Sequence, residues 1–241
     1  MRLIEAEIRD LKTKVLDMAN LVQVQLENCN VALANLDYEL AQKIQKKEKK
    51  VDKYDTKIDK RCERIIALYQ PVANDLRFVF SVMKINSYLE QIGDSINGIA
   101  RKIQEIKAPF DEAFLKELRL MEMFVHTKEI LKDALTSYFK EDASLAKNVF
   151  PKDDVIDEIH RNGFKKIVEA IQKNPTYTYE CIQLLLTIKN LEKVADFSVS
   201  IAEEAIFHSE GVVYRHTGLK YAYKQEEAAS TDATSSSLLE N

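Results

Sequence analysis

Apolar residues recur at spacings of three and four along nearly the whole chain, and no other feature limits its fold as much. Leu3, Ile4, Ile8, Leu11, Val15, Met18, Leu21, Val22 and Leu26 trace one stripe of an amphipathic helix. Similar stripes continue until the four prolines interrupt them. Pro71 and Pro175 precede long helical runs, Pro109 follows one and Pro151 opens another. With 5 Gly and 4 Pro in 241 residues, the chain has little of the turn material that a strand-rich fold requires. The spacing predicts six helices, over about 2–34, 37–68, 74–107, 111–140, 142–172 and 177–209. Helices of ~50 Å need neighbours along their full length, which three-helix bundles supply.

A second level of order lies above the helices. Leu89-Glu90-Gln91-Ile92-Gly93-Asp94 in the third predicted helix matches Leu191-Glu192-Lys193-Val194-Ala195-Asp196 in the sixth, 102 residues later. Glu48, Val51 and Asp52 in the second match Asp153, Ile156 and Asp157 in the fifth, at an offset of 105. The chain therefore reads as all-α, two tandem repeats of a three-helix bundle. The expected boundaries are 1–108 and 109–217, with 218–241 a flexible tail. The tail from Glu226 is rich in Ser, Thr and Ala, and lacks aromatic residues.

Net charge is −4, and Gln225–Asn241 holds Glu226, Glu227, Asp232 and Glu240 without Lys or Arg, so the remainder is formally neutral. A neutral body lacks the summed positive field of a dedicated nucleic-acid binder, so no nucleic acid is expected as a partner. Cys29, Cys62 and Cys181 lie far apart in apolar helical patterns, which suits reduced core residues in the cytosol. No apolar run approaches the ~18 residues of a membrane span, and Met1–Lys14 is too charged for a secretory signal. A cytoplasmic protein that meets membranes only through partners is expected.

The chemistry lies in carboxylates four residues apart. Glu90 and Asp94 project from one helix face, separated by only ~40° of rotation. The same spacing occurs at repeat-equivalent places as Glu48 with Asp52, Asp153 with Asp157, and Glu192 with Asp196. On the second helix the acidic face continues through Asp55 and Asp59; on the third, Asn97 and Arg101 extend the face of Glu90; on the fifth, His160 follows Asp157. If the second and third helices lie side by side, four carboxylates converge. Oxygen-rich sites of this kind suit magnesium, manganese or iron, with zinc also compatible. The competing reading is a solvated acidic face neutralised by Lys46, Lys47, Lys49 and Lys50; four pairs in matching positions favour the metal. Gly93, mid-helix, and its counterpart Ala195 point to close helix approach. There is no Gly-rich phosphate loop, no nucleophile triad and no Glu-x-x-His motif, so no enzyme is expected.

Gln70-Pro71-Val72-Ala73-Asn74-Asp75-Leu76-Arg77, followed by Leu89-Glu90-Gln91-Ile92-Gly93-Asp94, resembles the PhoU family. The resemblance spans about residues 2–217 and includes the stretch Gly211–His216. It implies paired three-helix bundles with metal clusters held by the Glu/Asp-x-x-x-Asp pairs. It also implies a negative regulator of phosphate uptake and of the phosphate-starvation response. Such a regulator links the phosphate ABC transporter, through its ATPase subunit, to a phosphate-sensing histidine kinase, and a homodimer is the family habit. The chain departs from the family at Gln91 and Lys193, where Arg is common, and at Ala195 and Phe197, where Gly and His are usual. Two rival readings are a carboxylate-bridged metal enzyme, an oxidase or phosphohydrolase, and a metal-free helical scaffold.

Overall fold

The computed structural model describes residues 3–211 and Val213, and every regular element among them is helical. In chain order these are α1 (Leu3–Asn35), α2 (Tyr38–Tyr69), α3 (Ala73–Glu105), α4 (Glu112–Glu117), α5 (Leu120–Lys140), α6 (Ala143–Lys147), α7 (Phe150–Lys173), a 3-10 turn (Pro175–Tyr177) and α8 (Thr178–Glu210). The expected tail, 218–241, lies outside the described residues, as does most of Gly211–His216.

Local chemistry sets most ends. Asp37 accepts from the Leu40 amide at 2.9 Å and opens α2, and Asp142 does the same for Leu145 at the start of α6. A cap of this kind contributes about 1 kcal/mol by satisfying an amide that has no partner within the helix. Gly211, with φ of 73°, closes α8 in the left-handed conformation that lacks a Cβ penalty only for glycine.

Three of the predicted helices, α1 to α3, run unbroken, as does α8, but the fourth and fifth are each divided. The run 111–140 breaks at Leu118–Arg119, where Arg119 takes a left-handed φ of 55°. Its guanidinium is held by Glu122 at 2.5 Å and Glu158 at 3.2 Å, which anchors a bend that no Gly or Pro announces. The run 142–172 breaks at Asn148–Val149 because Pro151 has no amide hydrogen and its ring excludes the carbonyl four residues earlier. Pro151 thus lies in the first turn of α7, where its missing amide hydrogen costs no helical bond.

The most extensive packing is α3 on α8, followed by α2 on α3 and α5 on α8. With α1 against both α3 and α5, four helices form a continuous centre, α2 lies outside on α1 and α3, and α7 lies outside on α5 and α8. The two repeats are therefore fused face to face. Buried Leu89, Ile92, Ile96 and Ile99 of α3 and Leu184, Ile188, Leu191 and Val194 of α8 belong to one core that crosses the junction. Along it, Lys84 meets Glu204, Tyr88 stacks on Phe197 at 6.3 Å, and Gly98 abuts Asn190, so the two helices run antiparallel. Gly93 and Ala195 fall near the midpoint of these contacts, which sets the two acidic pairs at similar heights. Cys29, Cys62 and Cys181 are free and buried, and burial pushes the Cys62 thiol up to about 12.

Candidate metal centre

In the first repeat, α2 and α3 lie side by side, and Glu48, Asp52, Glu90 and Asp94 share one surface. A Cβ placed on Gly93 would lie 3.0 Å from Val51 Cγ1, so the glycine permits the approach. Its presence in mid-helix costs about 1 kcal/mol relative to Ala, a cost that close packing offsets. Glu48 and Glu90 are half-buried, whereas Asp52 and Asp94 are exposed.

Electrostatics bind the four into a group. Glu48 is raised above the ordinary carboxyl range by partial burial and by the negative charges of Asp94 and Asp52, while the Asn97 amide beside it pulls the other way. Glu90 is raised by burial first, then by Asp94, Asp55, Asp52 and Glu48. Glu48 and Glu90 therefore each sense acids on the facing helix as well as those on their own. Asp55 is also raised, by burial and by Asp59 and Asp52, against the opposing effect of Asn86.

Two buried amides frame this surface. Asn86 Nδ2 donates to Asp55 Oδ1 at 2.7 Å, to Asp59 Oδ1 at 2.9 Å and to the Asp55 carbonyl at 3.0 Å, fixing the acidic stripe of α2 against α3. Asn97 is 1% exposed, and its Oδ1 has no hydrogen-bond partner. Asn86 was missed in the sequence because a lone amide on an apolar stripe looks like any other polar interruption. Of the neighbouring lysines, Lys46 reaches Gln42 and Lys50 lies over the Tyr54 ring, whereas Lys49 shares a surface with Asp52.

The second repeat is built differently. Asp153 is 4% exposed and sits in the first turn of α7, because Pro151 starts that helix two residues earlier, whereas its counterpart Glu48 is mid-helix. The positive end of the α7 dipole lies beside Asp153 and favours its negative charge. Asp157 is half-buried, with Arg161 at 4.0 Å. Glu192, on α8, has His160 Nδ1 at 3.8 Å, and Asp196 is exposed. Phe197 beside it stacks on Tyr88 and offers no nitrogen.

Among the described residues, no three His, Cys, Asp or Glu side chains close on a common point as a preset coordination sphere. The acids of the first repeat are neighbours that repel. Their chemistry fits a hard cation: four carboxylates and a buried amide oxygen from two helices, held by packing that does not depend on their charge.

Comparison with known proteins agrees with the repeat. The PhoU domain matches residues 15–103 and 120–205. The chain is 33% identical over 215 residues to the phosphate-specific transport system accessory protein PhoU homolog of Aquifex aeolicus, covering 89% of this chain and 96% of that protein. It is 28% identical to the homolog of Pseudomonas putida, covering 89% and 84%. Among solved structures, PhoU from Pseudomonas aeruginosa superposes with a TM-score of 0.80 at 26% identity, covering 86% of this chain and 99% of that one. The phosphate transport system regulatory protein PhoU from Streptococcus pneumoniae gives 0.79 at 29% identity, covering 87% and 98%.

Proposed function

This chain belongs to the PhoU family, and from that premise we propose that it is a metal-binding adaptor that restrains phosphate uptake and the phosphate-starvation response. Its output is protein binding, and no bond is broken. It contacts the ATPase subunit of a phosphate ABC transporter and a phosphate-sensing histidine kinase, and it works in the cytoplasm as a homodimer. The accessory and regulatory names carried by its relatives support this role.

The observation that carries the metal reading is the placement of Glu48 and Asp52 on α2 beside Glu90 and Asp94 on α3, near enough for their charges to act on Glu48 and Glu90. These four residues would hold an iron, zinc, manganese or magnesium ion in the first repeat. Asp153, Asp157, Glu192 and Asp196 would do so in the second, with the His160 imidazole at hand. A bound cation supplies the positive charge that cancels the repulsion. The protein's own contribution is rigidity, since Gly93 against Val51 and the Asn86 amide on Asp55 and Asp59 fix the two helices beforehand.

Two measurements test this. Elemental analysis and titration calorimetry should find metal on the wild-type chain and lose the share held by the first repeat from Asp52→Asn/Asp94→Asn with the far-UV spectrum unchanged; full retention of metal would refute that site. Affinity capture from phosphate-replete cells should recover the transporter ATPase or the kinase, and recovery of neither would refute the adaptor.

A further inference from the structure

The solvent face of α2, bordering the carboxylate surface at Asp52, carries a ridge of cations. Lys46, Lys49, Lys53, Lys57, Lys60 and Arg64 recur every three or four residues and are all exposed. They fall within an arc of ~80° and extend over ~27 Å of helix. The five lysines have no ion-pair partner among the described residues; Arg64 lies 3.9 Å from Glu7. Like charges at this spacing repel one another and weaken a helix.

The fold does not require them. At the repeat offset of 105, the same positions on α7 hold Pro151, Asp154, Glu158, Asn162, Lys165 and Glu169. Two helices with equivalent places in the two bundles therefore carry opposite net charge on their outer faces. The ridge also ends in apolar residues: Leu68 follows Arg64 on the same face at 65% exposed, and Val72 just beyond is 74% exposed, more than any other large apolar residue among those described.

We propose that this ridge docks the protein directly on an anionic lipid bilayer, with α2 lying along the surface and Leu68 and Val72 entering the headgroup layer. A straight line of lysines along one helix matches a flat sheet of lipid phosphates. Lysine acts there as a point charge whose attraction accumulates residue by residue within a Debye length. A basic helix face joined to exposed apolar side chains is the pattern of an interfacial helix. Nucleic acid fits less well, because the ridge carries a single arginine and has no exposed aromatic ring for stacking. The contact borders the carboxylate surface at Asp52 and adds a lipid route to the partner-mediated one.

Flotation of the full-length protein with phosphatidylglycerol/phosphatidylcholine vesicles tests it, compared with pure phosphatidylcholine vesicles and a short DNA duplex in the same buffer. The wild-type protein should bind only the anionic vesicles and be released by salt. Lys49→Gln/Lys53→Gln/Lys57→Gln/Lys60→Gln should lose roughly 100-fold or more in partitioning. The charge-matched Lys132→Gln/Lys165→Gln/Lys189→Gln/Lys193→Gln, elsewhere on the surface, should keep it, with both variants checked by circular dichroism. Absence of wild-type binding, equal loss in the two variants, or equally tight binding to the duplex would each overturn the proposal.

Discussion

Glu48 and Glu90 hold their protons more tightly in the folded protein than free carboxyls do, because partial burial and neighbouring acids disfavour their charge. The sign of the consequence follows from linkage. A carboxyl raised on folding binds more protons in the native state, so its destabilising effect grows as pH rises through the raised value and fades below it. Glu48→Gln/Glu90→Gln should therefore raise the melting temperature of the metal-free protein at pH 8 more than at pH 5, as differential scanning fluorimetry would show; an equal shift at both would contradict the repulsion. At this scale the sequence was informative only about local spacing. The four-apart acids and the need for a small residue at Gly93 are consequences of helical rotation and were legible. The grip of Asn86 on Asp55 and Asp59 depends on which face of α3 meets α2, which only assembly decides.

Helices α2 and α3 meet where Gly93 faces Val51, and the acidic surface depends on that distance. Gly93→Ala gains helix propensity of about 1 kcal/mol and must displace Val51 by a few tenths of an ångström, so stability should change little. Gly93→Leu has no such room and should destabilise by about 1–3 kcal/mol in urea titration, while weakening metal binding by spreading the carboxylates. Wild-type stability in the leucine variant would show that the contact is looser than described. Element positions were legible where periodicity ran unbroken, as in α1, α2, α3 and α8. Pro151 announced the division before α7, yet apolar spacing on both sides disguised it. The bend at Arg119 gave no sign, since its left-handed backbone is held by Glu122 and by Glu158, 39 residues away.

For the whole molecule, the decisive contact is α3 on α8, which joins the repeats through one core. Lys84 and Glu204 pair across it at 3.2 Å; Glu204 is 2% exposed, and burial raises its carboxyl against the opposing pull of Lys84. Lys84→Ala leaves that carboxylate buried without its ammonium. The cost should be about 2–3 kcal/mol, below the range for fully buried pairs because Lys84 is 41% exposed. Adding Glu204→Leu should recover most of the loss in chemical denaturation; no recovery would place the damage in Lys84's contact with Phe207 instead. No pairing across 120 residues was legible, because complementary charges on two core-facing stripes look alike in any helical chain. The same fusion frees each half to diverge. When a dimer of identical subunits changes one side chain, it changes both symmetry mates, whereas this duplicated chain alters one lobe and leaves the other alone. One lobe has gathered a basic flank and the other an acid at the head of a helix, so the molecule has a front and a back that its pseudosymmetry alone would not give it.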